Sequence, residues 1–294
     1  MEESFPVAMT IESLDGLHTA YRMAREKFKR PPWFRGHWDA SWKLLPSVFR
    51  GRESEDPHHE RFIANRFRTQ APLRHAKCPE NEEHFAWLCL MRHYGLPTRL
   101  LDWSESILVA AYFAVNEADC EWESDEDTKT TSPGTLWALN AHRLDCVNPE
   151  ERADRAGFPH TPDTRGVGTL AAHVFGVQPE LQRDFGVLQA TLAVIPNEVD
   201  LRMLMQNARF TIHGRNGAVP EPLEEQAHGQ LYLMRFEIAK GFKGTLRNML
   251  VELGINEHTL FPDLEHLARG IVEGTKVDEI VPQASDAEGP AQAG

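Results

Sequence analysis

The sequence predicts an α+β fold, one main domain in which a mixed or antiparallel sheet, drawn from the second half of the chain, is packed by helices. Two features predict it. Helical periodicity dominates up to Glu117, whereas short alternating apolar stretches dominate residues 135–238, and elements segregated in this way favour α+β over a doubly wound parallel sheet. The length permits it, since 294 residues with 41% hydrophobic content supply one large core.

Ile11, Leu14, Leu17, Tyr21 and Phe28 recur at helical spacing, with Thr10 placed to cap, so residues 1–30 read as an N-terminal helix stopped by Pro31-Pro32. The main domain then spans residues 31–274. Trp33 to His37 has the aromatic content of a short strand, and a second extended stretch is expected through Trp42, Leu44 and Leu45. Helices are expected over His58 to Gln70 and over Glu80 to Tyr94, the second ended by Gly95 and Pro97. Ser104 to Glu117 is apolar nearly all round and reads as a central buried helix. Asp102 is its expected N-cap, with Glu105 able to close a capping box.

The acids from Glu117 to Asp127, followed by turn residues, predict a mobile acidic insert at about 119–133. Strands are expected at Thr135 to Asn140, Val187 to Ile195, Phe210 to His213 and Leu231 to Ile238, with a loop-rich, helical insert over 145–185. Helices follow near Leu246 to Leu253 and Leu264 to Val272, and residues 275–294 read as a disordered tail.

A formal charge of −13 argues against a general nucleic-acid ligand, because such affinity comes from Lys and Arg neutralising phosphates. A local basic stretch does run from Arg50 to Lys77, read first as a solvated helix face. Cys78, Cys89, Cys120 and Cys146 form no CxxC pair, and His58-His59-Glu60 has no third ligand at matching spacing, so no metal is expected. Gly166-Val167-Gly168 lacks the third glycine and preceding strand of a dinucleotide fingerprint. With no signal-like or membrane-spanning apolar run, a cytoplasmic protein without membrane contact is expected.

The polar chemistry concentrates in His93-Tyr94-Gly95-Leu96-Pro97-Thr98-Arg99-Leu100-Leu101-Asp102-Trp103-Ser104 and in Trp33-Phe34-Arg35-Gly36-His37. Arg35 offers either a fork for a phosphate or carboxylate, or a structural salt bridge to Asp102 or Asp39. Gly36 admits close approach of a ligand or of another backbone. Arg99 invites the same two readings as Arg35. His93 and Tyr94 suit acid-base catalysis or ring stacking, or simply a helix end. Ser104 could touch a ligand or sit in a first helical turn. Gln206, ahead of the strand at Phe210, supplies recognition or orientation and no general base.

Together these two motifs resemble the FRG-domain family, named for its aromatic-Arg-Gly sequence. The likeness extends to Gln206 to His213 and to Thr259-Leu260-Phe261-Pro262-Asp263-Leu264. The arrangement is also similar to that of ADP-ribosyltransferases, with an early Arg strand, a middle polar motif and a late carboxylate or glutamine. That resemblance implies that NAD is a substrate, with Arg35, Gly36, Arg99 and Ser104 binding ligand and His93, Tyr94 and Gln206 catalytic. It departs from the transferases in placing Gln206 where they normally supply glutamate, a dipole in place of a full charge. A non-catalytic sensor for a nucleotide or phosphorylated metabolite, with the acidic insert meeting a protein partner, is the alternative, and a phosphodiesterase or nuclease is a third. The resemblance further implies a bacterial accessory role in antiviral defence or a toxin system.

Overall fold

A computed structural model describes residues 5–51, 56–116, 132–147, 158–178, 186–197, 200–215, 218–226 and 228–278. The expected acidic insert and the end of the tail fall largely outside these residues. The described chain is α+β, built on a seven-stranded mixed sheet in the order β1-β7-β4-β2-β3-β6-β5. The strands are β1 (Val7–Ile11), β2 (Trp33–His37), β3 (Leu100–Ser104), β4 (Gly134–Leu139), β5 (Thr191–Val194), β6 (Ala208–His213) and β7 (Leu233–Ile238). Only β1 and β7 run parallel.

The sheet is not confined to the second half. The first thirty residues supply the edge strand β1 as well as helix α1 (Leu14–Phe28), which is capped by Ser13 and not by Thr10. Helices α2 (His59–Gln70), α3 (His84–His93), α4 (Ile107–Val115) and α5 (Ala141–Val147) follow. The expected strand through Trp42 to Leu45 is absent, although Leu44 is fully buried and its backbone N–H binds the Glu224 carboxylate.

Asp102 does not cap a helix. The chain from Leu100 to Ser104 is β3, and the cap of α4 is Ser106, whose hydroxyl accepts from Val109 N. Sequence pattern misleads here because β3 is covered on both sides, so Leu100, Leu101 and Trp103 are all buried and alternation vanishes. The end of α3 follows expectation. Gly95 takes a φ of 78° while its N–H reaches Arg92 O and the Leu96 N–H reaches Met91 O, a Schellman closure.

Strand alternation divides the core. One face of the sheet carries Leu100, Phe210, Ile212, Leu192 and Val194 under α2, α3 and α6 (Arg165–Val174). Further along that face, Ile11, Phe34, Leu136, Ala138, Phe236 and Ile238 pack under α1, α4 and the helix Lys243–Glu252. The opposite face buries Trp33, Leu101, Trp103, Trp137, Leu139 and Leu233. The two clusters on the first face part between β2 and β3, where the sheet itself nearly splits. Those strands share one register pair, Phe34 with Ser104, whereas β2 pairs with β4 along its whole length and β3 likewise with β6.

Candidate functional site: a crevice at the split sheet

The crevice between β2 and β3 is bridged by a side chain. Arg35 Nη1 donates to the Asp102 backbone carbonyl at 2.7 Å, a contact that a paired β2 would make with its own N–H, and lies 3.5 Å from the Asp102 carboxylate. Its Nε donates to His37 Nε2 at 2.9 Å. Burial lowers the Arg35 pKa to about 10, with Asp102 opposing the shift, so it stays charged at neutral pH.

Asp102 projects on the face where the core divides. Arg92, in the last turn of α3, grips it through Nε at 3.2 Å from Oδ1 and Nη2 at 2.7 Å from Oδ2, a two-point fork. Burial alone would raise the Asp102 pKa, but Arg92, Arg35 and Arg202 together take it down to about 2. Arg92 is 32% and Asp102 37% exposed, so the cluster opens to solvent. Alongside, His93 Nδ1 meets Asp200 at 3.2 Å, and Asp200 also caps α7 (Leu201–Met205) by accepting from Met203 N. Burial tends to raise the Asp200 pKa, but these hydrogen bonds bring it below the ordinary value. Arg202 stacks on the Phe261 ring at 4.4 Å, and Phe261 in turn stacks on His266. Three guanidiniums thus gather around two carboxylates in a chain of net charge −13.

The expected site residues divide between the crevice and the scaffold. Arg35 and His93 line the crevice, and Tyr94 stands at its rim, 53% exposed, with its ring edge against His93 and its hydroxyl 3.3 Å from His75 Nδ1. Arg99 is elsewhere. It is 3% exposed and gives each guanidinium nitrogen a partner, Glu60 of α2 for Nε and Nη2 and the Leu170 carbonyl of α6 for Nη1. Gly36 packs against α4, for a Cβ there would lie 1.9 Å from Ala110 O and 2.6 Å from Ala114 N. The Ser104 hydroxyl donates to Gln206 O and accepts from Ser106 N, tying β3 to the turn before β6. The Gln206 amide donates to Leu260 O at 3.2 Å.

Arg92, Asp200 and Arg202 were not legible as site residues. Arg92 precedes Asp102 by ten positions across a helix end and a turn, and Asp200 and Arg202 are a hundred residues further on. The one available signal was a pair of cations, Arg92 and His93, in the last turn of a helix that runs into the motif.

Among the described residues no group of three or more His, Cys, Asp or Glu side chains is placed to hold a metal ion. Within the same residues no helix is long and apolar enough to cross a membrane. Cys78 and Cys89 are free thiols. A shallow recess along α2, lined by His58, Arg61, Phe62, Asn65, Arg66 and Thr69, is open to solvent and shares no residue with the crevice. No curated protein and no solved structure matches the chain. Residues 30–122 match the family model described as the FRG domain, a stretch that holds Arg35, Arg92 and Asp102 but stops short of Arg202, Gln206 and Phe261. The aromatic-Arg-Gly strand and the facing strand at Asp102 are the two walls of the split sheet, and the chain carries an FRG domain over residues 30–122.

Proposed function

We propose that the crevice binds the phosphate-bearing part of a nucleotide or a related phosphorylated metabolite, and that NAD is the first ligand to try. The observation that carries this reading is the convergence of Arg35, Arg92 and Arg202 on Asp102 at a solvent-open break in the sheet. A pair sealed for stability is shut off from solvent, whereas guanidiniums that converge beside an exposed edge suit an incoming oxyanion, which a planar fork grips at two points. The half-exposed Tyr94 ring at the rim supplies a stacking surface for a base or nicotinamide.

Binding is better supported than group transfer. The Gln206 amide holds Leu260 O, and the Asp102 and Asp200 carboxylates are engaged with Arg92 and His93. A transferase instead needs negative charge directed at a developing oxocarbenium centre.

The test is a panel of NAD, ADP-ribose, ATP and inorganic phosphate, followed by thermal shift and nicotinamide release in parallel. A ligand held at a hundred times its Kd adds roughly 2.7 kcal/mol, a shift easily read. A saturable shift that Arg92→Ala and Arg35→Lys both weaken supports the reading. A full panel without any shift overturns it, and nicotinamide release would make the domain an NAD-consuming enzyme.

A further inference from the structure

Helix α2 turns one face to solvent, and that face is cationic in an acidic chain. Five of the six charged residues from His58 to Lys77 are basic, against a net charge of −13 for the whole. His58, Arg61, Phe62, Asn65, Arg66 and Thr69 recur at i, i+3, i+4, i+7, i+8 and i+11, so they form one helical stripe, and together they line the shallow recess along α2. At 3.6 residues per turn, Arg61 and Arg66 stand about 140° apart on the two flanks, with Phe62 and Thr69 between them. Phe62 is 62% exposed, and Leu73, in the one-turn 3-10 helix that extends α2, is 86% exposed.

The two arginines of the stripe are unpaired. Glu60, the one acid in the stretch, gives its carboxylate to Arg99 in the core. Among the described residues neither Arg61 nor Arg66 takes part in an ion pair, and Arg61 Nε is buried without a hydrogen-bond partner. Arg61 is nonetheless held in place, for a Cβ built at Gly176, just past α6, would lie 3.6 Å from its Nε and 3.8 Å from its Cζ. A guanidinium already ordered by packing loses little freedom when a partner arrives. The polar groups between the arginines are engaged locally: Asn65 Nδ2 donates to Arg61 O, Asn65 Oδ1 accepts from Arg68, and the Thr69 hydroxyl donates to Arg66 O. Two guanidiniums and an exposed ring are what the stripe presents.

Shape and charge together select the occupant. A small metabolite needs a concave site that encloses most of its surface, which this open recess does not offer. Nucleic acid would lay a run of phosphates along a chain whose overall charge repels it, and a single exposed ring is a poor platform for successive bases. Arginine and aromatic side chains anchor protein interfaces, and complementarity of charge calls for carboxylates opposite them. We propose that this face of α2 docks an acidic segment of a protein partner, with Arg61 and Arg66 taking its carboxylates and Phe62 and Leu73 its apolar side chains. None of these four residues belongs to the crevice.

The full-length protein is titrated against a fluorescein-labelled peptide, about twelve residues long so as to span Phe62 to Leu73, rich in Glu with one Trp and one Leu, and binding is followed by fluorescence anisotropy. Saturable binding that weakens as salt is raised is expected, and the analogue with Gln in place of every Glu should bind at least about tenfold more weakly. Arg66→Glu should lower the affinity about tenfold or more, and Phe62→Ala about fivefold or more. Both side chains are exposed, so both variants should unfold thermally as the wild type does. Arg92→Ala, which disables the crevice, should leave peptide binding within about twofold. Failure of the acidic peptide to bind overturns the proposal, as does unchanged affinity in Arg66→Glu. A single-stranded oligonucleotide of equal charge that binds more tightly than the peptide would make this face a nucleic-acid site instead. A loss in Arg92→Ala with none in Arg66→Glu would move the peptide to the crevice, and either result also overturns the proposal.

Discussion

Two arginine–carboxylate pairs lie close together in this fold and differ in nearly everything but chemistry. Arg99 and Glu60 are sealed, with side chains 4% and 7% exposed, and Glu60 takes the Arg99 backbone N–H as well as its guanidinium. Arg92 and Asp102 make an equally good fork, yet they stand about one-third exposed and share their carboxylate with Arg35 and Arg202. The first pair is complete and joins α2, β3 and α6. The second stands exposed at the place where the sheet opens. The same two residue types therefore act as a clamp when sealed from solvent, and as a candidate binding site when they stay exposed.

The sharpest way to break this contrast is to remove one partner from each pair. Glu60→Ala should cost about 3–5 kcal/mol in denaturant unfolding, because it strands the Arg99 guanidinium in the core. Glu60→Leu combined with Arg99→Met should restore most of that loss, and no recovery would mean that the pair does more than satisfy itself. Gly36→Ala comes next. A methyl group placed against the α4 backbone must displace that helix from β2, at roughly 2–3 kcal/mol by the same measurement. A neutral result would show that α4 yields easily.

Acid titration gives a smaller effect with a defined sign. Burial, helped by Arg35 and Arg99, holds the His213 pKa down to about 3. The unfolded chain, with an ordinary histidine near 6.5, binds the proton first, so this contribution is present above about pH 6.5 and is lost as pH falls towards 3. The slope for one such group is at most about 1.4 kcal/mol per pH unit, and His213→Gln should flatten the stability profile over that window. Asp102 behaves in the usual carboxylate sense: its stabilisation is present above about pH 4 and is lost as pH falls through about 2. The smallest expected change in stability is that of Arg92→Ala, on the order of 0.5–1 kcal/mol for a partly exposed pair. Its effect on ligand affinity should be about tenfold or more, and a large stability loss without an affinity loss would make the second pair another clamp.

Much of the architecture could be read before any coordinates. The spacing of apolar residues locates α2, α3 and α4 to within a few positions, alternation finds β7, and short apolar runs find β4 and β6. Edge strand β1 escapes because it is five mostly exposed residues running straight into the periodicity of α1. Strand β3 escapes because burial on both faces removes the period of two. Arg35 is legible as an anion-binding candidate from its aromatic and glycine neighbours, but Arg99, equally prominent in its motif, is not separable from it by sequence. Whether a guanidinium meets one carboxylate in the dark or shares one in the light depends on which helix covers it.

By itself the sequence determines the α+β class, the helix-stopping Gly95, the buried character of α4 and the FRG motifs, because local periodicity and turn chemistry act within a few residues. Only the tertiary structure decides that β2 and β3 part after a single pair, that Arg202 comes to Asp102 and stacks on Phe261, and that Arg99 closes on Glu60. These contacts join residues up to 100 positions apart, from Asp102 to Arg202. Their geometry follows from how α3, α4 and α7 pack across one sheet, which no short window of sequence contains.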